Sequence, residues 1–130
     1  MSALGHHDIF SNIPREDYLS LLNKGEAYSS KVIDFVGFKK EDVAKATGVP
    51  LQSIRYDGRM PQILKDRVRE WANLLNLVAQ FFDGDVAKTA LWVKTTNPML
   101  GNISPRDMLR FGLYKKLLKF VLNALSENQR

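Results

Sequence analysis

Side chains that could carry out catalysis are scarce in this chain of 130 residues. There is no cysteine, which excludes thiolate catalysis, disulfides and cysteine-ligated metal sites. The two histidines, His6 and His7, are adjacent near the N-terminus, and two ligands alone make a weak metal site. No glycine-rich phosphate loop follows a strand pattern. An enzyme is therefore the weakest interpretation of the sequence, and we predict no cofactor and no metal site.

Polar side chains suited to reading DNA occur in the stretch F-K-K-E-D-V-A-K-A-T-G-V-P-L-Q-S-I-R-Y-D-G-R-M-P. Its spacing predicts a short helix over residues 39–47, a stop at Gly48, and a second short helix from Pro50. Leu51 and Ile54 are the predicted core contacts of the second helix. Glycine permits the left-handed backbone of a tight turn, so the order is typical of a helix-turn-helix.

In a helix-turn-helix, the second helix enters the major groove of DNA. Glutamine can pair with adenine edges and arginine with guanine edges, whereas lysine suits the phosphates. A helical hairpin that reads no DNA would show the same local pattern, but the local excess of basic residues favours DNA. The predicted DNA contacts are Lys39, Lys40, Lys45, Gln52, Ser53, Arg55, Tyr56 and Arg59.

The net charge of +5 is unevenly distributed. Residues 39–69 carry eight basic and four acidic side chains, and residues 106–130 carry six basic and two acidic ones. Two basic zones separated by a near-neutral core indicate two surfaces for anionic partners, or one nucleic-acid face and one partner face. The alternative is a solvated surface on a basic protein.

The hydrophobic pattern predicts an all-α fold, a compact helical protein. Residues 1–12 show no helical period, and we expect a flexible N-terminus there. Residues 13–64 would form the helix-turn-helix region and residues 65–130 a second helical domain, joined by a long central helix. Besides the helix-turn-helix, helices are predicted over residues 14–24, 27–35, 61–82, 86–94, 105–111 and 113–125.

The long helix over residues 61–82 should supply most of the hydrophobic core. Burying each large apolar side chain contributes about 1.5–3 kcal/mol. Asp83-Gly84-Asp85 ends this helix, and Asp85 can cap the next one. Two aspartates alone lack the further ligands of a calcium loop. The predicted apolar stripe consists of Leu64, Val68, Trp71, Leu75, Val78 and Phe82.

A short break between helices follows in W-V-K-T-T-N-P-M-L-G-N-I-S-P-R-D-M-L, residues 92–109. Asn97 can cap a turn that begins at the next proline, and Ser104 can cap a helix whose first residue is Pro105. Asp107 lies three residues after Ser104, where an acid suits a capping box. These residues alone indicate a shaped, well-capped connection between packed helices.

Taken in order, these parts resemble the Xre/MbcA/ParS-type antitoxin family, over residues 27–122. The family often has a proline where this chain has Thr96, and a second glycine where it has Asn102. Asparagine tolerates the left-handed backbone, so we expect the turn to be kept. The most specific shared piece is a tryptophan followed by N-P-x-L-G and P-x-D-x-L, here Trp92, Asn97, Pro98, Leu100, Gly101, Pro105, Asp107 and Leu109.

Members of that family join an Xre-like DNA-binding region to a C-terminal toxin-binding domain. The resemblance implies a type II antitoxin whose partner is a RES-domain toxin that consumes NAD. Residues 65–130 would cover the entrance of the toxin's active site, and the helix-turn-helix of a homodimer would bind operator DNA. We place the toxin contacts on the helices after the motif, at Arg106, Arg110, Lys115, Lys116 and Lys119.

A stand-alone helix-turn-helix regulator without a toxin partner is the alternative function. No signal peptide is visible, and no run approaches the roughly 20 apolar residues of a membrane span. We therefore expect a cytoplasmic protein without a membrane partner.

Overall fold

The computed structural model of the protein describes residues 12–128. The predicted flexible N-terminus, with His6 and His7, lies outside these residues except for Asn12. The described part is mostly helical, which confirms the all-α prediction. Its elements are a hairpin of β1 Leu22–Asn23 and β2 Glu26–Ala27, the helices α1 Ser29–Val36, α2 Lys40–Thr47, α3 Gln62–Phe81, α4 Val86–Lys94, α5 Pro105–Arg110 and α6 Tyr114–Asn128, and 3-10 turns at Leu51–Ser53 and Pro98–Leu100.

Helix α3 lies at the centre, as predicted for the long helix. It contacts the hairpin and the helices α1, α2, α4 and α6. Five members of the predicted stripe are buried, whereas Phe82 is only partly buried. The predicted domain boundary after residue 64 falls within α3, and buried side chains from both sides of it belong to one hydrophobic cluster. The buried members of the stripe are Leu64, Val68, Trp71, Leu75 and Val78.

The helix predicted over residues 14–24 is wrong. Ser20 and Lys24 have positive φ angles of 54° and 53°, which interrupt a right-handed helix. Lys24 and Gly25 instead form the two-residue loop between β1 and β2, and positive φ at both positions is typical of a hairpin turn. The residues predicted to form this helix therefore belong to turns and a short hairpin.

Hydrogen bonds of Asp17 and Asn76 hold the N-terminal segment against α3. The carboxylate of Asp17 accepts hydrogen bonds from the backbone N–H groups of Leu21 (2.8 Å) and Leu22 (2.9 Å). It also accepts one from Nδ2 of Asn76 (2.9 Å), a fully buried residue of α3. Oδ1 of Asn76 in turn accepts from the N–H of Leu19 (3.0 Å). A buried amide needs such partners, so the N-terminal segment and α3 depend on each other.

The helix-turn-helix prediction is only half correct. Helix α2 forms, and Gly48 ends it in the left-handed region at φ 78°. The predicted second helix is wrong, because only the 3-10 turn Leu51–Ser53 forms there. Leu51 is 45% exposed rather than in the core, whereas Ile54 is buried as predicted. A three-residue turn cannot lie in a major groove as a recognition helix does.

Local chemistry explains why the second helix stops. Asp57 forms a turn of its own, in which its carboxylate accepts a hydrogen bond from the N–H of Arg59 and its carbonyl accepts one from the N–H of Met60. Pro61 follows at once, and a residue before proline is driven out of the helical region. The extended chain is held by Ile54 and Met60, which are both buried.

The C-terminal helices agree with the predicted pattern. Helix α4 has the predicted bounds, and Asp85 caps it by accepting from the N–H of Lys88 (3.0 Å). Helix α6 continues to Asn128 rather than ending near Leu125, while residues 129–130 lie outside the described part. None of the helices between residues 12 and 128 combines the length and apolarity needed to cross a membrane.

The pH dependence of stability should reveal the Asp17 contact. Burial raises the pKa of Asp17, but hydrogen bonds from Asn76, Leu21 and Leu22 and the charge of Lys31 together lower it below the ordinary 3.8. Because the folded pKa is depressed, the carboxylate stabilises the fold fully above the unfolded pKa, and this contribution is lost as pH falls through the folded pKa. Asp17→Asn should cost about 1–3 kcal/mol at pH 7, since an amide cannot accept three hydrogen bonds.

Urea unfolding at neutral and at acidic pH measures this difference. The gap between the wild type and Asp17→Asn should narrow as the pH falls below the ordinary pKa of 3.8 and through the lower folded pKa, where the carboxylate of the folded wild type becomes protonated. Asp83→Asn is the control, because Asp83 is exposed and its left-handed backbone suits asparagine. A gap that stays the same at every pH would contradict the role of the carboxylate charge.

Candidate functional site

The turn between α4 and α5 carries four of the eight motif residues, Asn97, Pro98, Leu100 and Gly101. Asn97 caps the 3-10 turn as predicted, since its Oδ1 accepts from the N–H of Met99 (2.9 Å). The N–H of Asn97 donates to the carbonyl of Ile103, and its carbonyl accepts from the N–H of Asn102, both at 3.0 Å. These contacts close the loop at its base, so Asn97 connects both ends of the turn.

Gly101 and Asn102 turn the chain back on itself. Both adopt the left-handed region, with φ angles of 80° and 63°. The prediction that Asn102 would keep the turn is therefore confirmed. A Cβ atom at Gly101 would meet nothing within 4 Å, so the requirement for glycine there is one of backbone conformation rather than space.

Ser104 begins α5 as predicted. Its Oγ accepts from the N–H of Asp107 (3.1 Å), and Pro105 is the first helical residue. The carboxylate of Asp107 does not complete a capping box but pairs with Arg110, whose Nε and Nη2 lie 3.2 and 3.1 Å from its Oδ1. Pro105 and Leu109 are buried, and Leu100 packs against the core. The motif residues mainly shape the connection.

An apolar cleft of 490 Å³ opens beside this turn. Phe81 and Phe82 line it from the end of α3, and Trp92 and Phe120 line it from α4 and α6. The rings of Trp92 and Phe120 are stacked, with 6.4 Å between centroids and an interplanar angle of 14°. Met99 borders it with a side chain that is 78% exposed. Open clefts with this aromatic content suit an apolar segment of a partner protein.

The sequence interpretation named Trp92 and Asn97 of this cleft but missed Phe120 and Met99. Phe120 follows directly after Lys119 on α6, and its position widens the apolar stripe of that helix towards the lysine face. Met99 is a large apolar side chain in an exposed turn. The position of Phe120 and the exposure of Met99 each indicate an apolar surface without a partner inside the protein. A single exposed apolar residue is nevertheless common in proteins.

The predicted DNA contacts fall into two groups in the structure. Lys39, Lys40 and Lys45 are exposed on or beside α2. The others lie on the 3-10 turn and the extended chain after it, instead of on a helix. In that second group Gln52, Arg55 and Arg59 are exposed, while Ser53 and Tyr56 are half-buried.

In the second group, Arg55 is constrained by a local ion pair and Tyr56 by burial. The guanidinium of Arg55 holds the carboxylate of Asp57 with two hydrogen bonds of 2.9 and 2.8 Å. This pairing raises the pKa of Arg55 and, with the N–H of Arg59, lowers the pKa of Asp57. The hydroxyl of Tyr56 is buried without a hydrogen-bond partner, and burial together with the charge of Asp34 raises its pKa.

The predicted toxin contacts lie on α5 and α6. Arg106 and Arg110 are half-buried, and Nη1 of Arg106 lies 3.4 Å from the place where Gly37 would carry a Cβ atom. On α6 the exposed lysines are those predicted: Lys115, Lys116 and Lys119.

The two basic zones, predicted to lie apart, meet at Phe111. Nζ of Lys45, from α2, lies 5.1 Å from the centroid of this ring, and Cζ of Arg110 lies 4.8 Å from it. A second cleft, of 550 Å³, is lined by Ala46 of α2 and by the three lysines of α6. Part of the first zone therefore lies beside the second, because α2 packs against α5.

Tyr114 lines the same cleft at the start of α6. Burial and the charge of Glu70 raise the pKa of Tyr114 to about 12, although Arg67 opposes them. Its phenol is therefore neutral near pH 7. Arg67 and Glu70 form an ion pair of 3.1 Å, but the buried Nε of Arg67 makes no aligned hydrogen bond, so the contact is electrostatic.

Two glycines provide a matched test of the motif turn. Gly101→Ala should destabilise the protein by about 1–2 kcal/mol, because alanine is strained in the left-handed region. Gly58→Ala is the control: a Cβ atom there also meets nothing within 4 Å, but the backbone is not left-handed. Gly58→Ala should be neutral or stabilising by about 0.4–1 kcal/mol. Equal urea midpoints for the two variants would contradict the assigned conformation.

No model of a known protein family matches the chain, and a comparison with curated proteins finds no match.

Proposed function

We propose that the protein is the antitoxin of a type II toxin–antitoxin system. It binds a RES-domain toxin, covers the entrance of the active site in which that toxin consumes NAD, and represses its own operon by binding DNA as a homodimer. The support is the order of the parts: a helix ended by a glycine turn, a long buried helix, and a capped N-P-M-L-G-N turn before two further helices.

The observation that carries this proposal is that Trp92 and Asn97 line the aromatic cleft. Both belong to the motif that resembles the toxin-binding domain of the family. Asn97 caps the turn, the ring of Trp92 stacks on Phe120, and both residues line a cleft of a size that suits a few apolar side chains. Aromatic side chains in such pockets dominate the binding energy of protein interfaces. We therefore place the centre of the toxin contact at the cleft.

A charge placed in the cleft should abolish toxin binding. Met99→Glu adds a carboxylate at an exposed position, so the fold is kept, but a bound partner would bury that charge without a counter-ion. We expect affinity to fall by about 100-fold or more, which corresponds to roughly 3 kcal/mol. The measurement is co-purification with a co-expressed RES-domain toxin, together with growth and NAD level of the co-expressing cells.

Leu91→Glu is the matched control, since Leu91 is 69% exposed on α4 and does not line the cleft. This variant should bind and neutralise the toxin like the wild type. Loss of binding in both variants, or in neither, would exclude the cleft as the contact. A wild-type protein that neither co-purifies with the toxin nor relieves its effect on growth would refute the antitoxin proposal, and retained operator binding would then favour a stand-alone regulator.

Operator recognition is proposed to involve the exposed cations after the 3-10 turn. The double variant Arg55→Ala with Arg59→Ala should lose preference for its own upstream DNA in gel-shift assays, because arginine carries most contacts to guanine edges. The same variant should still neutralise the toxin, since neither residue lines the aromatic cleft. Unchanged preference for the upstream DNA would refute a role of these arginines in reading it.

A further inference from the structure

We propose that α2, α5 and the first half of α6 form one surface that binds the phosphodiester backbone of duplex DNA without reading its sequence. This inference rests on the DNA-binding part of the proposed function and is independent of the toxin. It assigns to DNA the cations of α5 and α6 that the sequence analysis assigned to a toxin.

Phe111 joins the parts of this surface. Its ring is 47% exposed and lies just after α5. Lys45 and Arg110 both contact it, at 5.1 and 4.8 Å from the centroid, and the ring attracts each cation. Two cations from distant parts of the chain are thereby held at one exposed ring, where Asp107 already pairs with Arg110. Lys45 has no acidic partner among the salt bridges of the described residues and remains able to bind an anion.

The surface continues from Phe111 along α6. The cleft of 550 Å³ between α2 and α6 is lined by Gly112 and Leu113, which follow Phe111 directly. On its α6 side lie Lys115, Lys116 and Lys119, all exposed. Their ammonium groups have no acidic partner among the salt bridges of the described residues. These lysines therefore remain able to bind an anion.

The charge of the protein is concentrated on these segments. Residues 39–47 and 105–119 together carry eight cationic and three acidic side chains, a net charge of +5 that equals the net charge of the whole chain. Two of the acids have structural partners: Asp42 accepts from the N–H of Lys39, and Asp107 pairs with Arg110. A one-sided field of this kind attracts a polyanion and releases its counter-ions on binding.

The side-chain types favour DNA backbone over an acidic protein. Lysine is depleted at the centres of protein–protein interfaces, whereas it is a common contact of phosphates. Lys45 and the three lysines of α6 are compact charges without the planar fork that favours paired carboxylates. Because the predicted recognition helix is replaced by a 3-10 turn, these helices would add affinity rather than base recognition.

The test compares salt dependence in two charge-matched variants. Lys115→Gln with Lys119→Gln removes two cations from the surface, and Lys24→Gln with Lys88→Gln removes two exposed cations elsewhere. Binding to a labelled 20-base-pair duplex of arbitrary sequence is measured by fluorescence anisotropy at several salt concentrations. The first variant should bind about ten-fold more weakly at about 0.1 M salt, with a log–log salt slope shallower by about 2, because each phosphate contact contributes about 0.9.

The control variant should keep the wild-type slope. An unchanged slope in Lys115→Gln with Lys119→Gln, while the wild type binds the duplex, would overturn this inference alone. A wild type that binds no duplex would overturn the whole DNA-binding part of the proposed function. If the first variant instead loses co-purification with the toxin and keeps its salt slope, the surface is a protein interface and the inference is also overturned.

Discussion

The burial of the second half of α3 on nearly every side is the constraint on which the rest of the structure depends. Ten of its twenty residues are buried, and they face the hairpin and the surrounding helices. A helix without a water-facing side through its second half must be covered by several elements at once. Asn76 is the polar exception, and its amide needs Asp17 and the N–H of Leu19. The N-terminal segment therefore supplies the hydrogen-bond partners that the buried amide of α3 needs.

Locally encoded features could be predicted from the sequence, and features set by distant contacts could not. The apolar period of α3, the capping oxygens of Asp85, Asn97 and Ser104, and the left-handed Asn102 all act within a few residues of themselves. Asp17 could equally begin a helix or hold a turn. Its carboxylate holds a local turn through the N–H groups of Leu21 and Leu22 and also contacts Asn76, 59 residues away, and no local pattern reports that distant contact.

The candidate surfaces were less predictable than the fold for the same reason. The motif turn lies where it was expected, but the aromatic cleft needs the ends of α3 and α6 beside it. Charge counted along the chain placed two basic zones apart, whereas packing of α2 on α5 brings Lys45 and Arg110 to one ring. In place of the predicted second helix the chain has a 3-10 turn, an extended Ile54, the Asp57 turn and then Pro61.

The two proposed surfaces are neighbours, which has a thermodynamic consequence. A groove of 440 Å³ is lined by Met99 and Phe120, which also border the aromatic cleft, and by Lys116 and Lys119 of the basic surface. A protein bound at the cleft would therefore lie close to these lysines and change the electrostatic potential around them. Binding energies at two linked sites are reciprocal, so whatever effect the toxin has on DNA affinity, DNA must have on toxin affinity. An acidic toxin rim would neutralise the lysines and release DNA, whereas a neutral rim would leave the phosphate contacts in place.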